Sequence, residues 1–240
     1  MTTYEEMLGP IKKKNEFSTA RFSIIYGNAG CGKTVLATTA QEIGKCVLIN
    51  FENRISHIDE TENLRFVPTS PGEFREDKAC DYEMFLNFLA FIEQEQIKFN
   101  YLIIDTIDEM FNKFHLGMLR KGEIQDKYYG RADVYPKMWE VFKRIKDLGI
   151  NIIATSHQKS EGGFDLLLPD KLKFKINMTV DNIFYLKANE EGNRVLQLKT
   201  NSLIASKLTT SPNKYNNIQS EIINPTWKIV EDTIYGSNNS

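Results

Sequence analysis

The sequence predicts an α/β fold: a mostly parallel, doubly wound sheet with a C-terminal β-hairpin. Three observations predict it. Short apolar runs recur along the chain, and helical patterns separate them. Nearly all-apolar strands are what a parallel sheet covered on both faces requires. The first run, 22–26, leads into Gly27-Asn28-Ala29-Gly30-Cys31-Gly32-Lys33-Thr34, the spacing G-x-x-x-x-G-K-[ST] of a phosphate-binding P-loop. A helical pattern through Val35, Leu36, Ala37 and Ala40 follows at once, so the motif has the strand–loop–helix setting it needs.

The elements follow in order. Residues 1–20 are polar, include Lys12-Lys13-Lys14, and read as an N-terminal arm before a core of 21–208. Strand 22–26 delivers the loop. Its glycines permit dihedrals that turn backbone N–H groups from Gly27 to Val35 toward a phosphate, and the new helix adds its dipole. Lys33 is placed to reach the β- and γ-phosphates, and the Thr34 hydroxyl to help hold Mg²⁺. A second strand covers 46–51. Over 81–98, Phe85, Phe88, Leu89 and Ile92 share one helical face, and strand 101–105 follows. Over 136–148, Pro136 suits a first turn, Met138, Val141, Phe142 and Ile145 form a stripe, and Gly149 fits just past the end. Strand 150–155 comes next. Residues 182–187 and 194–200 read as two strands around the turn-like Asn189-Glu190-Glu191-Gly192-Asn193. Residues 209–240 are rich in Asn, Ser, Thr and Pro, with one apolar stretch around Trp227, Ile229 and Val230. They read as a polar C-terminal extension, ordered in part.

Composition sets the bounds. A chain of 240 residues with 41% apolar content suits one α/β domain. A net charge of −2 confines any nucleic-acid contact to local patches. Cys31, Cys46 and Cys80 have neither disulfide-like nor zinc-like spacing, which implies a reduced, intracellular protein. Residues 1–20 lack a basic-then-apolar leader and no apolar run approaches membrane-spanning length, so a cytoplasmic location is expected.

Tyr101-Leu102-Ile103-Ile104-Asp105 is an apolar strand ending in a carboxylate, the Walker B arrangement that positions Mg²⁺ opposite a P-loop. Thr106 follows it, where many AAA+ motors carry a water-activating Glu. The other acids within reach are Asp108, Glu109 and Glu52, which ends the strand 46–51. Glu52 could orient the attacking water or be a solvated loop acid. Ser156 and His157 end strand 150–155 at the same rim. His157 there is either a γ-phosphate sensor or a surface residue, and His57 and His115 have no comparable case.

Taken together, these residues resemble the phage-encoded, single-domain RecA-like ATP-binding proteins. The resemblance spans roughly 20–208. It rests on Tyr26-Gly27 through Thr34, Asn50-Phe51-Glu52, Ile104-Asp105-Thr106-Ile107-Asp108-Glu109, Tyr129-Gly130-Arg131 and Thr155-Ser156-His157. It implies a RecA-type ATPase core using ATP and Mg²⁺, with Glu52 activating water and His157 sensing the γ-phosphate. It implies action on single-stranded DNA in phage recombination or annealing with a single-strand-binding protein, in a bacterial host cell, as a ring or filament of identical subunits. Lys207 matches the region where relatives place basic residues toward a neighbour's nucleotide, although Leu208 and Thr209 replace the usual Arg partner. Phe17-Ser18-Thr19-Ala20 matches the Phe-x-x-Ala pattern by which some recombinases dock, or Phe17 packs on the core.

Two stretches could meet DNA. One carries Lys113, Arg120, Lys121, Lys127 and Arg131 with Phe114, Tyr128 and Tyr129. The other carries Lys159, Gly162-Gly163, Phe164, Lys171, Lys173 and Lys175. Cations contact phosphates while aromatics stack on bases, but Glu123, Asp126, Asp165 and Asp170 dilute both. The expected function is therefore a DNA-stimulated ATPase. The alternatives are a nucleotide-gated switch with negligible turnover, a small-molecule kinase, and a helicase loader or packaging-type motor.

Overall fold

In the computed structural model, described residues are 20–52, 57–67, 69–70, 73–74, 79–125, 131–159, 165–168, 170–201, 204 and 206–236. Strand β1 (Phe22–Gly27) is buried at all 6 positions. It lies between the parallel strands β7 (Asn151–His157) and β8 (Asn182–Ala188). Beyond β7 come β6 (Tyr101–Asp105), β2 (Cys46–Asn50) and β3 (Leu64–Val67), all parallel. Beyond β8 lie the antiparallel β9 (Arg194–Gln197) and β11 (Glu221–Ile223), and β10 (Lys207–Leu208) pairs with β8 near its start. The order is β11-β9-β8-β1-β7-β6-β2-β3. Strands β4 (Thr69–Ser70) and β5 (Glu73–Phe74) form a separate pair. The mostly parallel sheet and the β8–β9 hairpin are the fold that the sequence predicts.

Side chains alternate between two cores. Phe22, Ile24 and Tyr26 of β1 face one with Leu102, Ile104, Ile152 and Ala154. That face is covered by α2 (Tyr82–Gln94), α3 (Ile107–Arg120) and α4 (Arg131–Asp147), through Phe85, Phe114 and Phe142 among others. Ile25, Ile103 and Ile153 face the other, with Leu36 and Ala37 of α1 (Lys33–Thr38). Helices α5 (Asp170–Thr179) and α6 (Pro212–Asn217) complete the connections.

One expectation is corrected. Pro136 lies inside α4, which begins at Arg131, and not in a first turn. Proline cannot donate to the carbonyl four residues back; Pro136 itself is exposed, and the buried Val134, Tyr135 and Met138 beside it seat this part of the helix. In the stretch read as a polar extension ordered in part, residues 209–236 carry regular elements. Strand β11 closes the sheet edge, and α7 (Trp227–Tyr235) buries Trp227, Val230 and Ile234 against the second core. Thr226 caps α7, and the Trp227 N–H donates to Thr39 Oγ1 at 2.7 Å. Arg21 lies over the Tyr235 ring, 3.3 Å from its centroid, and pairs with Glu231 at 3.3 Å. The Phe17-Ser18-Thr19 part of the docking motif lies outside the described residues.

Candidate active site

Parallel pairing brings the carboxyl ends of β1, β6, β7 and β8 to one rim, where open α/β sheets bind ligands. Gly27 ends β1 because a side chain has no room there. A Cβ would stand 2.2 Å from the Leu186 carbonyl oxygen of β8. Gly30 and Gly32 hold φ of 77° and 93°, left-handed values that favour glycine. The loop then enters α1 with Gly32 at its N-cap. Lys33 is buried, and its ammonium donates to the carbonyls of Gly27 at 3.0 Å and Asn28 at 2.8 Å. Among the described residues that ammonium is hydrogen-bonded by neutral loop oxygens, and phosphate oxygens could replace them.

Asp105 is 3% exposed. Its Oδ1 accepts from Thr34 Oγ1 at 3.0 Å and from the Thr155 hydroxyl. Burial pushes its pKa up, against the Thr155 and Thr34 hydrogen bonds and the Lys33 charge, which pull it down. A buried carboxylate beside a threonine hydroxyl is a hard-oxygen donor set, and Mg²⁺ prefers such ligands. Thr34 and Asp105 therefore fit the metal that the sequence assigns to them.

Glu52 reaches this rim although β2 lies three strands from β1. Past β2 the chain crosses the end of β6, with the Phe51 N–H donating to the Asp105 carbonyl at 2.7 Å. Thr106 Oγ1 then donates to Glu52 Oε1 at 3.1 Å while capping α3 by accepting from the Glu109 N–H. His157 at the end of β7 lies 3.3 Å from Glu52 through Nε2. Asp108 holds His157 twice, accepting from its backbone N–H at 3.1 Å and facing Nδ1 at 2.7 Å. Asp108 thus engages the histidine, and Glu109 accepts from Asn112. Burial raises the Glu52 pKa, opposed by the His157 charge. The Asp108 hydrogen bond raises that of His157.

Lys33, Thr34, Glu52, Asp105 and His157 line one cavity of about 280 Å³. Sequence reasoning missed three of its features. Thr155 supports Asp105 from below. His57 and Arg194 both line the cavity. Arg194 could have been suspected, because a hairpin following a strand parallel to β1 must turn at the phosphate-loop end. Lys207 is not a member of this cavity. It pairs opposite Ile183 near the start of β8, and its ammonium donates to the Val180 carbonyl, at the other end of the sheet.

Of the expected DNA-facing residues, Lys127, Tyr128, Tyr129, Gly130, Gly162, Gly163 and Phe164 lie outside the described residues, as do the side chains of Arg131, Lys171 and Lys175. Lys113, Arg120 and Lys121 line a separate cavity of about 610 Å³ between α2 and α3. Lys173 is paired with Asp165 and Asp170.

No curated protein matches the chain. A family model described as an AAA domain matches residues 20–210, the span that holds every residue of the cavity. Among the described residues no helix is long and apolar enough to cross a membrane. With the P-loop, the buried Asp105 and the parallel sheet inside the matched span, the chain belongs to the AAA domain family of nucleotide-binding P-loop ATPases.

Proposed function

We propose that this chain is a Mg²⁺-dependent, ATP-hydrolysing RecA-like protein. It acts on single-stranded DNA in phage recombination or annealing, as a homo-oligomer working with a single-strand-binding protein. The observation that carries the hydrolytic part is the placing of Glu52. Its carboxylate lines the same cavity as Lys33, Thr34 and Asp105, and Thr106 and His157 hold it there.

Lys33 would give up the loop carbonyls and bind phosphate oxygens. Thr34 and Asp105 would hold Mg²⁺, which supplies charge neutralisation to the phosphates when bound. Glu52 would orient the attacking water and accept its proton, and the raised Glu52 pKa favours proton acceptance. His157 ends β7, so a change in its hydrogen bonding would pass directly to the segment that starts at Gln158. Lys159 of that segment, with Lys113, Arg120 and Lys121, would supply cations for DNA; Phe114 would not stack on bases, because it is buried in the core. Lys207 would act only on a neighbouring subunit's nucleotide.

The test is Glu52→Gln. It should lower ATP turnover by about a hundredfold or more while ATP affinity stays near the wild-type value. Wild-type turnover in that variant overturns the assignment. The DNA context is tested by measuring turnover against single-stranded DNA across a salt series. Stimulation that weakens with salt supports it, and a flat response removes it.

A second reading, a nucleotide-gated switch with little turnover, is favoured by the engagement of Glu52 with both Thr106 and His157. Single-turnover hydrolysis with and without DNA separates the two. A kinase is less well supported, because Arg120 lines the other cavity rather than this one.

A further inference from the structure

We propose that Arg194 binds the diphosphate part of the nucleotide from within the same chain, and that Asn224 is the positioning residue that aims it. The inference rests on the ATP-binding reading and adds a ligand group to it.

Arg194 opens β9, the returning strand of the β8–β9 hairpin. Its guanidinium lies on the phosphate loop. A Cβ built at Gly32 would stand 2.6 Å from Arg194 Nε and 2.8 Å from Cζ. It lines the cavity with Gly30, Gly32 and Lys33. Among the described residues no acid pairs with it; the ion pairs formed there join other residues. A partly buried guanidinium with no acid paired to it, lying on the phosphate loop, offers a planar donor fork that suits a phosphate anion. The guanidinium approaches Gly32 on the loop itself, whereas Thr34, Thr155, Thr106 and His157 are the groups that engage Asp105 and Glu52. Arg194 therefore serves the loop side of the site, where the diphosphate would lie.

The backbone of Arg194 is bracketed by one residue. Its N–H donates to Asn224 Oδ1 at 3.1 Å, and its carbonyl accepts from the Asn224 N–H at 2.7 Å. Asn224 Nδ2 also donates to Asn193 Oδ1 at 3.0 Å. Asn224 adopts φ of 49°, which brings its side chain and its own N–H to the same neighbour. The segment after β11 thus fixes where the arginine points.

The test is calorimetry with ADP and with ATP plus Mg²⁺ on the full chain. Arg194→Ala should weaken both by a similar factor of about ten or more, because a charge-assisted hydrogen bond to phosphate is lost. Arg194→Lys should recover part of the loss, since the charge stays and the fork goes. Asn224→Gly keeps the backbone angle and removes the side-chain bonds. It should weaken ADP binding by about threefold, and this effect should vanish in the Arg194→Ala background. The melting temperature without nucleotide should be unchanged in Arg194→Ala. Unchanged ADP affinity in Arg194→Ala, with binding lost in Lys33→Ala, overturns this inference alone. A wild-type chain that binds neither nucleotide overturns the ATP reading and this inference with it. A threefold Asn224→Gly effect that persists without Arg194 overturns the positioning role.

Discussion

Replacing Asp108 by asparagine takes one charge from beside His157 and keeps the shape. The amide oxygen of the new side chain would still accept from the His157 N–H, which now lies 3.1 Å from Asp108 Oδ1. The amide nitrogen would donate to the ring Nδ1 that Asp108 Oδ2 faces at 2.7 Å. The ring would then sit neutral, with its proton on Nε2 toward Glu52. In the native protein the Asp108 hydrogen bond, with the charges of Asp108 and Glu52, holds the imidazole pKa above its ordinary 6.5. A hydrogen bond to a charged partner contributes about 2 kcal/mol, so Asp108→Asn should lower the His157 pKa from its raised value. Because the folded pKa lies above the unfolded one, the stabilisation is fully present below about pH 6.5 and is lost as pH rises through the raised folded value. Urea unfolding should show a penalty of about 2 kcal/mol at about pH 5.5. At about pH 9 only about 0.5 kcal/mol should remain, the worth of a charge in the first turn of α3. Proton NMR of the imidazole, assigned with His157→Gln, reads the pKa directly. A penalty that is the same at both pH values, or a His157 that titrates alike in both proteins, would refute the reasoning.

Two further outcomes test the frame around the site. Trp227 is 2% exposed and meets Phe184 edge-on at 6.3 Å, so Trp227→Ala should cost about 4 kcal/mol in denaturant unfolding; a loss under about 1 kcal/mol would mean that α7 is not seated on the core. Gly27→Ala should cost about 3 kcal/mol by forcing β1 and β8 apart, whereas Gly30→Ala, strained in φ but facing open space, should cost about 1 kcal/mol. The reverse ranking in thermal or urea melts would contradict the packing described at Gly27.

Much of this was legible because it is local. The phosphate loop, its strand and its helix form one contiguous run, and Asp105 announces itself by ending an apolar strand. What needed tertiary knowledge was less visible. Glu52 enters the cavity only because its chain crosses the end of β6, and no spacing encodes that crossing. Pro136 misled because a proline suits a helix start, while α4 carries five residues before it. The stretch 209–236 was hidden by its Asn, Ser and Thr content. Trp227, Val230 and Ile234 do fall on one helical face, but a nine-residue helix gives that pattern little length to speak with. Strand β11 has three residues, too few for any periodicity. Arg194 carries no motif. Its place follows from the direction in which β8 runs.

The clasp of Arg21 on Glu231 and Tyr235 joins positions at least 210 apart in the chain. During translation, β9 can pair with β8 as soon as both have emerged, yet its outer edge stays bare until β11 and α7 follow. At ordinary elongation speeds the interval from Gln197 to Tyr235 lasts roughly 2 to 8 seconds. For that time a nascent chain displays an unprotected strand edge beside an apolar face that Trp227, Val230 and Ile234 will help to cover. Crowded polysomes would bring such edges together, so yield in the cell should respond to elongation rate and chaperone supply more than the stability of the finished protein suggests.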